Sequence, residues 1–432
     1  MQLHSAVLRG WVQPADVFVQ FFANETNAFW LDRETNPEQP FSVLGAGNLF
    51  AGGNFSLDSD IPGSISPSGQ ADLPFTWRPG LVGFVSYEGE AKFLEVDRAI
   101  VFDHRNQSLY FVGMFDSSID FDFWHHGALL RLGLSGGQLA NYLLRSGQIG
   151  AATSSQIRHG SEEYLNKIRE AQEHIAIGDI YQICLTNEIE VVTDADPLLV
   201  FLNLRAANPA PYAAFMKIDG KTIVSASPEQ FIRVSSSGTI STKPIKGTRP
   251  RGLNPEEDAE IAAELRANEK ERAENLMIVD LMRNDIGKVS KTGSVSVPLL
   301  FEIESYATVH QLVSTVVGQL AEGETAWSAL QAAFPGGSMT GAPKIRAMEI
   351  LIDLEKGQRG AYSGCLGYFG NDGSAELGMT IRTVVFEDGV AKLGVGGGIT
   401  IDSNPDAELA ETRLKARALL EALNAPDPWL PW

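Results

Sequence analysis

Over the first 150 residues apolar positions come in short runs: 28–31, 81–86 and 109–115 read as strands, separated by Gly, Pro and Asn clusters. Residues 58–70 show no period and read as an irregular loop, and 147–160, small and polar, as a connection between two regions. Beyond it the pattern sharpens. Ser161-Glu162-Glu163 opens a helix that Gly178 closes. Residues 180–192 predict a strand and 196–207 a helix. Two hairpins follow, 212–218 with 222–226 around Asp219-Gly220, and 231–234 with 239–242 around Ser237-Gly238. Asn254-Pro255-Glu256-Glu257 caps a helix predicted to run to about Arg283. Residues 295–306 and 309–320 predict strands, 327–333 and 345–355 helices, and 363–369, 376–386 and 390–394 a meander. Asn404-Pro405-Asp406 caps a last helix.

Composition narrows the class. With 432 residues, 44% of them apolar, a large core is accessible. A net charge of −20 argues against nucleic acid and against a polybasic membrane contact, so an anionic ligand needs locally concentrated positive charge. The two cysteines, Cys184 and Cys365, form no disulfide framework or zinc pattern and suit the cytosol. No signal-peptide core and no run of transmembrane length is found. A cytoplasmic protein is expected.

Three features carry chemistry. The first is the stretch 242–252, TKPIKGTRPRG, whose prolines argue against a helix or a central strand. It is either a solvated basic turn or the setting of a desolvated Lys246, whose lowered pKa makes it a usable amine nucleophile. The second is a pair of helical faces, Glu271 and Glu274 with Ile278 and Leu281, and Glu408 and Glu411 with Lys415 and Leu419. These are solvated acids at the edge of an apolar stripe, or carboxylates from two elements of the kind Mg²⁺ prefers. The third is a set of cations and bare backbone: Lys246, Arg249, Arg251, Lys344 and Arg382, with Gly247-Thr248 and the anion nest expected at Gly396–Gly398. Lys344 stands at a helix start, where cations are disfavoured, and a bound anion would explain it. Together they suit a small, multiply anionic molecule. Glu229 is a surface turn acid or, if burial raises its pKa, a general acid. His310 in a strand is structural or catalytic.

The segments SASPE (225–229), KPIKGTRPRG (243–252), RAENLMIVDLMRNDIG (272–287), FPGGSMTGAPK (334–344), TIRT (380–383), GGGI (396–399) and AELAET (407–412) resemble the chorismate-utilising enzymes. The resemblance covers about residues 161–420 and is nearest to the aminodeoxychorismate synthase branch, with anthranilate synthase component I as the alternative. It implies an α+β fold of two β-rich subdomains, antiparallel sheets with helices packed outside. Residues 1–150 are then an N-terminal β-rich region and 161–420 the chorismate-binding catalytic domain. It implies amination of chorismate to 4-amino-4-deoxychorismate for para-aminobenzoate and folate synthesis. Lys246 is the implied nucleophile at C2, Glu229 the general acid, and Glu274 and Glu411, with Glu271 and Glu408 close by, the Mg²⁺ ligands. Gly247, Thr248, His310, Thr340, Tyr362, Arg382, Gly396, Gly397, Gly398 and Lys415 are the implied substrate contacts.

Two positions separate the branches. The anthranilate enzymes typically carry alanine where Lys246 stands. Gln182 stands where isochorismate and salicylate synthases carry a water-activating lysine, and a glutamine has no basic nitrogen, so ammonia is favoured over water. No glutaminase module is visible, which implies a separate glutamine amidotransferase subunit. Many relatives bind tryptophan with a serine near an N-terminal strand and a segment like Pro211-Tyr212-Ala213. Here Arg33 takes the place of that serine, and tryptophan is not expected to bind.

Overall fold

A computed structural model describes residues 1–53, 55–59, 73–146, 150 and 152–429. Of the loop expected over 58–70, residues 60–70 lie outside the described residues. The described residues form two antiparallel sheets of 12 and 11 strands with helices on their outer faces, an α+β architecture. Alternation along single strands builds the layers. In the fully buried strand Ala28–Asp32, Ala28 and Trp30 pack under outer helices with Val17, Phe18 and Phe201. Phe29 and Leu31 face the other sheet and meet Val82, Phe84 and Leu94. The second sheet's outer face packs Ile278, Val279 and Met282 of the helix Glu269–Gly287. Among the described residues no helix is long and apolar enough to cross a membrane.

Residues 1–150 do not close a sheet of their own. Ala28–Asp32 pairs with Tyr212–Ile218, and Gly80–Val85 with Cys365–Gly370, so both expected regions share both sheets. The polar connection expected at 147–160 contains an edge strand instead, Ala152–Ile157, which pairs with Gln182–Thr193.

Two further departures position the site. The strand expected over 376–386 is two strands in different sheets: Ala375–Met379 lies in the second and Thr383–Glu387 in the first. The chain crosses at Thr380–Arg382, where Arg382 takes a left-handed φ of 49°. A second crossing runs beside it, at Pro228-Glu229, between Lys221–Ser227 and Gln230–Val234. Backbone bonds from Met379 N–H to the Glu229 carbonyl (3.0 Å) and from Ala226 N–H to the Arg382 carbonyl (3.1 Å) tie the crossings together. The helix expected to run unbroken to Arg283 is two helices, Pro255–Ala267 and Glu269–Gly287. They meet at Asn268, whose side chain accepts the Glu271 N–H.

Candidate active site

The stretch 242–252 is not a free loop: Ile245–Pro250 is a strand at one end of the second sheet, paired with Val309–Gln319. Its register slips between Lys246 and Thr248, a bulge that Gly247 makes at φ 77°. The slip sends the Lys246 side chain toward the first sheet. A Cβ built on Gly398 would lie 2.9 Å from Lys246 Nζ and 2.9 Å from Gln182 Nε2, so all three meet at one point. Gln182 is buried, and among the described residues its Oε1 has no hydrogen-bond partner.

Gly396–Gly398 are not a nest. They lie extended in the strand Val390–Ile399, opposite Thr186, Leu185 and Cys184. Thr383–Glu387 stops pairing at Leu393, so the glycines form a bare floor beyond it. Tyr362 lies with its ring against Gly394; Glu408 Oε2 and Lys415 Nζ lie above Gly397. Lys415 Nζ also donates to the Gly396 carbonyl at 2.9 Å and pairs with Glu411 at 2.8 Å.

Lys246 Nζ lies 3.3 Å from Glu274 Oε2. Burial lowers the lysine's pKa, but Glu274, Cys184 and Glu229 more than offset it, and the net direction is upward. The lowered pKa expected from desolvation alone is therefore corrected: a carboxylate partner reverses it. Glu229 is buried rather than a surface turn acid. Burial pushes its carboxyl up to about 7, against smaller opposite effects of Ser338, Lys246 and the Ile245 N–H. Glu408 is also raised, by burial first and then by its neighbours Glu411 and Glu274. Burial raises Glu411 as well, but Lys415, Lys270 and Lys246 bring it below the ordinary value.

Not every expected residue joins this group. Glu271 pairs with Arg249 at 3.2 Å and lies against Gly247. Arg249 also pairs with Glu264 at 3.0 Å, and Arg251 with Asp258 at 2.6 Å, so each guanidinium already has a carboxylate partner outside the group around Lys246. Lys344 needs no bound anion, because it pairs with buried Asp285 at 2.6 Å and donates to the carbonyls of Ala333 and Pro335. His310 is held through both ring nitrogens, by Asp258 at 2.8 Å and Ser305 at 2.7 Å. The buried Thr340 hydroxyl donates to the carbonyls of Gly336 and Gly337, and the Thr248 side chain is exposed. Arg382 is different: among the described residues its guanidinium has no side-chain partner. Burial lowers its pKa, which marks a cation stripped of water without a counter-ion.

The sequence reading missed Lys270 and Ser338. Lys270 stands four residues before Glu274, a spacing that brings the two together on a helix. Ser338 lies in a glycine-rich run and carries no comparable signal. Among the described residues no three acidic, histidine or cysteine side chains converge on one point. Instead the Lys270 ammonium bridges two helices, 3.8 Å from Glu274 Oε1 and 3.7 Å from Glu408 Oε1. That pair already shares a cation, and its donors are carboxylate oxygens, which Mg²⁺ takes together with water and ligand oxygens. The residues fit such an ion.

Comparison with known proteins agrees on the family, and the relatives carry two activities: anthranilate synthase component 1 of Streptomyces coelicolor is 38% identical over 466 residues, covering 98% of this chain and 89% of that protein. Residues 72–421 match the family described as chorismate binding enzyme. The chain is 43% identical over 371 residues to an aminodeoxychorismate synthase of Streptomyces pristinaespiralis, covering 81% of this chain and 52% of that protein. It is 40% identical over 365 residues to aminodeoxychorismate synthase component 1 of Escherichia coli, covering 83% and 80%. It thus spans about half the length of the Streptomyces relative. The crystal structure of anthranilate synthase component I from Streptococcus pneumoniae TIGR4 superposes with a TM-score of 0.76 at 28% identity, covering 89% of this chain and 93% of that one.

Proposed function

The chain belongs to the chorismate binding enzyme family, and from that premise we propose that it aminates chorismate to 4-amino-4-deoxychorismate. What carries this reading is the meeting of an amine and a buried acid: Lys246 at the glycine floor, and Glu229, held near 7, within its electrostatic reach. In the proposed reaction the neutral Lys246 amine bonds to C2 of the ring. Both conjugated ring double bonds shift by one position and the C4–oxygen bond breaks, with Glu229 donating the proton that lets the hydroxyl leave as water. Ammonia then bonds to C4, both double bonds shift back, and the C2–nitrogen bond breaks to release Lys246. One ammonia enters and one water leaves. Arg382 and Lys415 supply cations for the substrate's carboxylates. Glu274 and Glu408, which already share a cation, are the pair that would hold Mg²⁺, with Glu411 one turn along the Glu408 helix; the ion when bound would neutralise a ring carboxylate and draw electron density from it.

Lys246 favours this outcome over anthranilate synthesis, since the resemblance places alanine there in the anthranilate branch. Ammonia is proposed to come from a glutamine amidotransferase subunit; the Escherichia coli relative's name, component 1, supports a second component. A cytoplasmic setting suits the two free, buried thiols.

The test is product identification from chorismate, ammonium and Mg²⁺, with and without a separate aminodeoxychorismate lyase. The expected result is para-aminobenzoate only when the lyase is added. Fluorescent anthranilate without it would assign the chain to the other branch.

A further inference from the structure

Lys270 belongs to no part of the reaction described above, yet it stands between the carboxylates assigned to the metal. Its side chain is 55% exposed, whereas those of Glu274 and Glu408 are 10% and 7% exposed. Lysine preceding glutamate by four residues is the weaker order for a helical pair, so local preference alone does not hold Lys270 here. Glu408, from the helix Pro405–Ala422, supplies the second attraction. The Glu274 carboxylate is thereby flanked by two ammonium groups, Lys246 on Oε2 and Lys270 on Oε1. The Glu408 oxygen that faces Lys270 also accepts the Ser403 hydroxyl at 2.8 Å. Without Lys270, Lys246 would remain on Glu274 and Lys415 on Glu411, and Glu408 would face those two carboxylates with no ion-pair partner among the described residues.

We infer that Lys270 is a displaceable counter-cation of the Glu274–Glu408 pair, which holds the two helices together in the metal-free protein and competes with a divalent ion for the same oxygens. The inference rests on the reading of these glutamates as the Mg²⁺ site. An exposed stem lets the ammonium swing into solvent without disturbing packing, so metal entry trades one ion pair for another. Lys270 then weakens the intrinsic metal affinity of the substrate-free enzyme and keeps the carboxylates in place until metal arrives.

The test measures binding rather than turnover. Mg²⁺ and Mn²⁺ are titrated calorimetrically into the substrate-free wild type, Lys270→Met, Lys270→Arg and Glu274→Gln, and each is melted in chelator. Lys270→Met is expected to bind the divalent ion about fivefold more tightly and to melt lower in chelator, with Lys270→Arg near wild type in both. Equal or weaker binding by Lys270→Met, alongside a wild type that binds and a Glu274→Gln that does not, overturns the inference and leaves the metal site standing. Wild-type binding unchanged in Glu274→Gln, or absent altogether, overturns both.

Discussion

Lys246 and Glu274 form an ion pair of 3.3 Å with both side chains largely buried. The lysine comes from an edge-strand bulge and the glutamate from a helix on the outer face of the same sheet. A lysine with a carboxylate partner is charged at rest, so its nucleophilic form depends on what else engages Glu274. Lys246→Ala removes the amine but leaves Lys270 to compensate Glu274, so the fold should persist. Product formation with ammonium is expected to fall by at least about tenfold. Mass spectrometry of acid-quenched wild type with chorismate should show an adduct that the variant lacks. A wild-type rate in the variant would remove the covalent step from the mechanism.

Glu229 sets the pH response. A general acid works in its protonated form, which is present below its pKa and lost above it. With burial pushing that value up to about 7, kcat/KM should decline about tenfold per pH unit on the alkaline side of neutrality. Glu229→Gln should lose about 10² to 10⁴ in rate and that limb of the profile with it. The same shift has a stability sign. The folded protein holds this proton more tightly than the unfolded chain, so the contribution is present at acid pH and lost as pH rises through about 7. An alkaline limb that survives in Glu229→Gln would assign it to another group.

Local chemistry made much of this molecule readable in advance. Asp219-Gly220 predicts a tight hairpin, and both residues take positive φ, 50° and 78°. The Asn404 cap and the two acid-bearing faces lie where spacing puts them. Most of what escaped depends on partners distant in sequence, the break at Asn268 being a local exception. Asn268 ends one helix and caps the next, and nothing in the apolar period marks the break. The crossing at 380–382 interrupts a run that reads as one strand, because each half finds its partner in a different sheet. Three consecutive glycines suggest a nest, but pairing with 184–186 holds them extended, and their bareness makes room for Lys246 and Glu408 instead. Arg249, Arg251 and Lys344 look like anion ligands until their carboxylate partners are brought to them by folding.

Arg33 stands about where the resemblance places the serine of tryptophan-binding relatives. It is 3% exposed, its Nε lies 3.1 Å from Glu376, its guanidinium stacks 4.8 Å from the Tyr212 ring, and it donates to the carbonyls of Asp32 and Ala213. Added L-tryptophan should therefore leave the rate unchanged, and calorimetry should detect no binding. Arg33→Ser strips Glu376 of its buried partner and should cost about 3–5 kcal/mol in urea unfolding. Inhibition of the wild type by tryptophan would show that the amino acid binds without the space Arg33 occupies.

The strand Val390–Ile399 offers a test that separates fold from chemistry, because two of its glycines, Gly394 and Gly398, face different neighbours. A Cβ on Gly394 would lie 2.0 Å from Tyr362 Cδ1, a rigid buried ring that cannot step aside. Gly394→Ala should therefore lower stability by about 1–3 kcal/mol. A Cβ on Gly398 would meet only the far ends of two flexible side chains, Lys246 Nζ and Gln182 Nε2, each at 2.9 Å. Those tips can withdraw by bond rotation, so Gly398→Ala should unfold at the wild-type urea midpoint while its turnover drops, with the amine displaced from where it reaches the ring. The decisive comparison is the two unfolding midpoints against the two rates. Gly398→Ala at full rate would place the reacting ring away from this strand, and Gly394→Ala at wild-type stability would mean that Tyr362 yields more readily than its burial suggests.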